Sequence, residues 1–257
     1  MPLREDWEFN VLGVYNYRKP GHLRHYMDFI AENHDCIEGD ILEAGVYRGC
    51  SLLAVALLLK DLGSPKHVYG FDTFTGFPPV YHPNDDVSQF DVLRKHRRIS
   101  EKHLQKVKKN LLFRSLELGE NNKPSPASLS LSGDFSNNCL DALRRKLELL
   151  ELDNVTLVAG PFDETMGSAT RQPGRLMAAL LDCDLHESYR VALPFIWSRL
   201  SIGGYVALDE YYSLKFPGAR IATDEFFQDK RDGPQRHKPK RGDFQRWYVR
   251  RLTQRAA

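Results

Sequence analysis

Cysteine is scarce in this chain: four residues in 257, Cys36, Cys50, Cys139 and Cys183, with no C-x-x-C pair among them. That spacing argues against a zinc knuckle or a dithiol redox pair and suits a reducing compartment, so a cytoplasmic location is expected. Long hydrophobic runs are also missing. The longest, Leu52 to Leu59, is far below the ~20 residues that cross a bilayer. The opening residues Met1-Pro2-Leu3-Arg4-Glu5-Asp6 lack a basic stretch followed by an apolar one, so neither secretion nor membrane insertion is expected. No charge of one sign prevails: 36 Lys and Arg against 34 Asp and Glu leave a formal +2. No global field draws in nucleic acid or an anionic membrane. G-x-G-x-x-G is absent too, which leaves a dinucleotide pyrophosphate site poorly supported.

What is present is material for a packed domain. With 42% hydrophobic and 11% aromatic residues, the chain can build a core on both faces of a sheet. Its length suits one domain of about 200 to 250 residues with an elaboration. His22 to Ala31 places Leu23, Tyr26, Met27 and Ile30 at helical spacing. Asp40 to Gly45, then the apolar Leu52 to Leu59, then His67 to Asp72 read as strand, helix, strand, a unit whose strands run parallel. Leu140 to Leu152 predicts a helix, Val155 to Ala159 a strand, Met177 to Leu181 a strand, Glu187 to Leu200 a helix, and Tyr205 to Leu208 a strand opened by Gly203-Gly204. Ala219 to Phe227 suits a further helix and Phe244 to Leu252 a closing strand. The alternation predicts an α/β fold with residues 1–39 as an N-terminal helical segment and 40–257 as the main domain. Between Gly76 and Asn138 the pattern breaks down into prolines, a charged stretch and alternating Ser and Leu. An insertion over about 79–138, with one or two surface helices and a lid-like position, is expected.

Ligands of open parallel sheets bind beyond the carboxyl ends of the strands. Here those ends carry Glu43, Gly45 and Gly49; Asp72; Gly160-Pro161-Phe162; Asp182 and Asp184; and Asp209 and Glu210. One acid at a strand end is coincidence, but four acidic ends of five form a constellation. Glycines 45 and 49 let backbone pass close to a ligand, or simply make a tight turn. The carboxylate of Asp72 has the two acceptor oxygens that a ribose diol requires.

Four strings carry a family likeness: Ile41-Leu-Glu-Ala-Gly-Val-Tyr-Arg-Gly49, Gly70-Phe-Asp-Thr-Phe-Thr-Gly-Phe-Pro78, Leu181-Asp-Cys-Asp-Leu-His-Glu-Ser188, and Leu200-Ser-Ile-Gly-Gly-Tyr205 leading to Asp209-Glu210. In order and spacing the chain resembles the macrocin O-methyltransferase family of class I methyltransferases, over residues 40 to 78 and 140 to 252. The resemblance implies a Rossmann-like fold, a mostly parallel seven-stranded sheet flanked by helices. It implies S-adenosylmethionine as methyl donor and a hydroxylated small molecule, a sugar or another secondary metabolite, as acceptor. Glu43, Ala44, Gly45, Val46, Tyr47 and Ser51 would line its methionine part, Asp72 and Thr73 its ribose, and Gly160, Pro161 and Phe162 its adenine, with Asp182 beside it. Asp182, Asp209 and Glu210 would hold a divalent cation, Mg2+, and Asp182 and Asp209 would act in catalysis. Two departures from the family pattern stand out: Cys183 lies between two acids where the family has glycine, and Glu210 replaces an aspartate.

Physical chemistry supports a cation independently, since three acids on neighbouring strand ends repel one another unless they share a proton or a metal. The base that takes the hydroxyl proton is left open among His82, His96, His103 and His186. Two other readings remain. Arg94 to Arg98, Lys106 to Lys109 and Arg236 to Arg241 with Trp247 and Tyr248 suit an RNA methyltransferase, although balanced total charge favours solvated helix faces. A non-catalytic nucleoside-binding relative is the third. A homo-oligomer is open, and a membrane partner is not expected.

Overall fold

A computed structural model describes residues 2–118, 124–167, 172–238 and 244–252 of the chain. In it the apolar runs fold as strands β1 (Asp40–Ala44), β2 (Val68–Asp72), β3 (Val155–Ala159), β4 (Leu176–Leu181) and β5 (Leu200–Leu208), all paired in parallel. Every residue of β4 is buried, as befits a strand covered on both faces. Two short strands, β6 (Gln235–Arg236) and β7 (Trp247–Arg250), close one edge; β7 runs antiparallel to β5 and β6 antiparallel to β7. The order β3-β2-β1-β4-β5-β7-β6 makes the mostly parallel seven-stranded sheet that the resemblance implies. The closing strand is shorter than its apolar pattern, and β6, two residues long, left no periodic trace.

The helices in chain order are α1 (Asp6–Leu12), α2 (Arg24–Asn33), α3 (Cys50–Asp61), α4 (Gln89–Lys95), α5 (Glu101–Leu118), α6 (Pro126–Leu129), α7 (Leu140–Leu149), α8 (Phe162–Thr165), α9 (His186–Arg199) and α10 (Pro217–Phe227). Alternate side chains of each strand enter opposite cores. Ile41, Val68, Met177 and Tyr205 meet α2, α3 and α7 on one face. Leu42, Phe71, Ala179 and Val206 meet α9 and α10 on the other. From Ser51 to Leu59 helix α3 is buried all round, which explains its unbroken apolar run.

The N-terminal segment contributes to the first core: Phe9, Tyr26, Met27 and Ile30 are buried there. Helix α1 escapes a periodicity search because its seven residues bury only Phe9. It is held locally, with Glu5 and Glu8 satisfying each other's backbone N–H groups at its start. The insertion carries a small core of its own, Phe90, Leu93, Ile99, Leu104 and Val107, which packs on Leu214 and Ile221. None of the described helices is long and apolar enough to cross a membrane.

Candidate active site

Strand β1 lies between β2 and β4, so the connections leaving it diverge and open a crevice at the carboxyl ends of the strands. The first loop is fastened there by backbone. Gly45 N–H donates to the Phe71 carbonyl at 2.9 Å, and Asp182 N–H donates to the Ala44 carbonyl at 2.9 Å. A Cβ at Gly45, whose φ is +93°, would collide with the Asp182 carbonyl. This glycine therefore admits a neighbouring strand end, where the sequence suggested room for a ligand. Asp72 braces the same loop: its Oδ2 accepts the N–H groups of Val46 and Tyr47 at 2.8 and 2.7 Å, and its Oδ1 accepts Phe74 N–H at 2.7 Å. An ionised carboxylate has about four acceptor sites, so Oδ1 retains a lone pair for another donor.

Tyr47, at φ 52°, is held by its hydroxyl donating to Asn137 Oδ1 at 2.5 Å, and Arg48 donates twice to the Asn137 carbonyl. The far end of the insertion is thus tied to the first loop. Glu43 is buried; one oxygen accepts Ser51 Oγ–H at 2.6 Å and the other, Oε2, has no partner among the described residues. Burial pushes its pKa up to about 8, against the lowering effect of Ser51, and Asp72 adds to the rise. Thr73 Oγ1 serves its own turn, accepting Thr75 N–H and donating to the Gly76 carbonyl. Gly160 N–H donates to the Asp72 carbonyl at 3.0 Å, which sets Gly160, Pro161 and Phe162 next to the β2 end.

On the other side of the crevice Asp182, Asp184 and Glu210 bring carboxylate oxygens within 4.8 Å of one another. Of the three acids that the resemblance assigned to a cation, Asp182 and Glu210 are here and Asp209 is not. Arg246 Nη1 draws Asp209 Oδ1 to 3.2 Å, and Asp184 takes the third place. The tight turn decides this: Asp184 adopts φ 58°, which aspartate tolerates. Cys183 keeps ordinary backbone and is buried in the second core, so the cysteine departure is accommodated. Burial first, and then Asp209, Asp184 and Glu210, push Asp182 well above the usual carboxylate range. Asp184 is raised by burial and Glu210 against the opposing Lys215. Glu210 is raised by burial, while Lys215, 3.7 Å away, pulls it down. Burial lowers Lys215, but Glu210, Asp184, Asp182 and Asp209 outweigh it and hold the ammonium charged.

Among the described residues Lys215 and Arg246 are the two cations facing four acids, so the cluster favours a further proton or cation. The donor set is all oxygen, partly shielded from water, with spacing a small ion bridges, which fits Mg2+. Against Glu43, the unpartnered buried oxygen Oε2 fits an ammonium donor such as that of a methionine moiety.

A small cleft open to solvent is lined by His22, His25 and Tyr26 from the N-terminal segment and by Tyr205, Asp209, Arg246 and Trp247 from the sheet. Tyr15 stands over the crevice, its ring 5.1 Å from His22. Burial raises its pKa to about 12, and Cys50, Asp182, Asp209 and Glu43 all contribute. Partial burial, then Arg246, lower the pKa of His22. No motif in the sequence pointed to Tyr15, His22 or Arg246.

The model of the macrocin O-methyltransferase (TylF) family matches residues 5–123 and 129–234. The chain belongs to the macrocin O-methyltransferase family. Among curated members it is 26% identical, over 81% of its length, to an 8-demethyl-8-(2,3-dimethoxy-alpha-L-rhamnosyl)-tetracenomycin-C 4'-O-methyltransferase of Streptomyces olivaceus. It is 25% identical, over 86%, to a demethyldecarbamoylnovobiocin O-methyltransferase of Streptomyces niveus. A third, the mycinamicin III 3''-O-methyltransferase of Micromonospora griseorubida, is 27% identical over 75% of the chain. The chain covers 66%, 70% and 61% of these three relatives. In fold it is similar to the O-methyltransferase NovP, with TM-score 0.62, 21% identity and coverage of 92% of this chain and 80% of that one. The calicheamicin methyltransferase CalS11 gives TM-score 0.58 at 21% identity, covering 96% and 80%.

Within this macrocin O-methyltransferase fold three of the four histidines considered as bases, His82, His103 and His186, are engaged in local contacts. His103 is buried with Nε2 2.6 Å from the Ser213 carbonyl and its ring stacked on Tyr212. His96 is exposed after α4. His82 and His186 stack on each other at 4.2 Å beside Glu187. Several basic residues proposed for RNA are paired locally: Arg94 with Glu101, Arg98 with Asp224 and Lys108 with Asp91. Residues 239–241 of the third basic run lie outside the described residues.

Proposed function

We propose that this chain is an S-adenosylmethionine-dependent O-methyltransferase, assisted by Mg2+, that acts on a hydroxyl of a small molecule, a sugar or another secondary metabolite. The observation that carries the reading is the convergence of Glu43, Asp72 and the three close carboxylates on one crevice in a chain of this family. The names of the curated relatives support the acceptor class.

When bound, S-adenosylmethionine supplies a methyl group on a sulfonium, and the cation supplies positive charge that polarises the acceptor hydroxyl. The remaining work falls to the chain. Glu43 Oε2 offers an acceptor to the donor's ammonium, Asp72 Oδ1 to its ribose, and Gly160 to Phe162 border its base. Asp182, Asp184 and Glu210 would hold the cation. The cleft beside α2 would border the acceptor, its aromatic walls suited to the apolar faces of a sugar and the Arg246–Asp209 pair to its hydroxyls. Transfer is accelerated chiefly by alignment of oxygen, carbon and sulfur. His22, neutral at pH 7 and set in the cleft wall, takes the hydroxyl proton.

The test is methyl transfer from labelled S-adenosylmethionine to a panel of glycosylated and phenolic metabolites, with Mg2+ and with a chelator. Turnover that needs both donor and cation, and that is lost in Asp182→Ala, is expected. Donor binding without any turnover across the panel would favour the non-catalytic alternative.

A further inference from the structure

Asp85 sits where no motif placed a site residue. It ends the short 3-10 turn Pro83–Asp85 at the start of the insertion, is 1% exposed, and accepts the backbone N–H of His186 on Oδ1 at 2.8 Å. His186 is the first residue of α9, two positions after Asp184. The same oxygen fills a notch at Gly218 in the first turn of α10, where any Cβ would collide with it and crowd the Cβ of His186. The segment leading into α10 carries Glu210 and Lys215, and it is folded tightly by Ser213 Oγ, which accepts the N–H groups of Lys215 and Phe216 at 3.0 and 2.8 Å. One buried carboxylate from the insertion therefore touches the starts of both α9 and α10, the helices that follow Asp184 and Glu210. Helix N-termini favour negative charge, so a carboxylate suits this junction electrostatically. Burial pushes its pKa up, and the His186 N–H is the strongest influence in the other direction.

We propose that Asp85 is a positioning residue that clamps the N-termini of α9 and α10 together and so sets the mutual spacing of Asp182, Asp184 and Glu210. The inference rests on the reading of those acids as a cation site. It also gives the insertion a defined mechanical link to that site, through a contact that neither donor nor acceptor makes.

The test compares wild type with Asp85→Ala, Asp85→Asn and Gly218→Ala, by amide hydrogen exchange, by calorimetric titration with Mg2+ and with Mn2+, and by titration with S-adenosylmethionine. Asp85→Ala should speed exchange in the first turns of both α9 and α10 and weaken cation binding by about tenfold or more. Affinity for S-adenosylmethionine should stay within about twofold, as expected for a distant, independent site. Gly218→Ala should move the same readouts in the same direction, because it expels the carboxylate without removing it. Asp85→Asn keeps an acceptor oxygen for the His186 amide and should lie nearer wild type. Should Asp85→Ala fail to fold, the other two variants carry the comparison. Wild-type cation affinity in folded Asp85→Ala or Gly218→Ala overturns the proposal, and so does faster exchange confined to α9. A wild-type chain that takes up neither cation refutes the cation reading and with it the spacing role, while exchange still decides whether the clamp exists.

Discussion

Glu43 shows how much one residue's chemistry depends on its surroundings. Its pKa is raised from an ordinary 4.5 to about 8 by burial, so the folded chain holds a proton that the unfolded chain has released. With a raised folded-state pKa, its contribution to stability is fully present below pH 4.5 and is lost as pH rises through about 8. Each unit of such a shift corresponds to about 1.4 kcal/mol. Glu43→Gln is neutral throughout, so its unfolding free energy should fall less over that window than the wild type's in denaturant titrations without ligand. Parallel pH profiles would count against the burial argument. Asp72→Ala removes two backbone N–H bonds from the first loop and one from its own turn, and should cost roughly 3 kcal/mol or more in chemical denaturation as well as weakening the methyl donor. His22, with a pKa below the ordinary 6.5, should leave the rate intact at neutral pH and lower it on acidification as the imidazole gains its proton. His22→Gln should cut turnover and abolish that acid limb; an unchanged pH–rate profile would remove His22 as the base. At this scale Asp182 and Glu210 were legible as acids at strand ends. Asp184 was not legible as their partner, because its direction depends on a left-handed turn.

Among the elements, α2 does the most that its sequence pattern only half reveals. The spacing of Tyr26, Met27 and Ile30 identified an amphipathic helix, and those side chains are indeed buried against the sheet. What the spacing could not say is that the turn before it and its own first turn deliver His22 and His25 to the crevice wall. Ile30→Ala, at a position with no exposed surface, should cost about 2–5 kcal/mol in denaturant unfolding. Removal of residues 1–39 should leave no cooperative unfolding transition by circular dichroism, since it strips one wall from the first core. A truncated chain that still melts cooperatively would show that this segment is an accessory. The insertion was legible as an interruption but not as structure: its apolar residues form a private core, and private cores leave no period that continues the sheet.

For the molecule as a whole, the near balance of 36 basic and 34 acidic residues becomes local pairing, as at Arg94–Glu101 and Lys108–Asp91. Exposed pairs of this kind add little stability, but they dilute the positive field that a phosphate backbone needs. Filter binding of labelled RNA over a salt series should show no salt-dependent retention; a steep slope would revive the RNA reading.

Hydrophobic period and chain punctuation are local properties, and they were enough to determine an α/β chain of parallel strands with its acids at their carboxyl ends. Burial of a strand on both faces is already announced by an unbroken run such as Leu176 to Leu181. Which acids bring their oxygens closest together was settled only by tertiary structure. Arg246, from the far end of the chain, pulls Asp209 aside, while Asp184 turns inward and Asp85 wedges between two helix starts. Side-chain direction after a tight turn, and the desolvation that shifts a pKa, depend on neighbours distant in sequence, and no spacing along the chain records them.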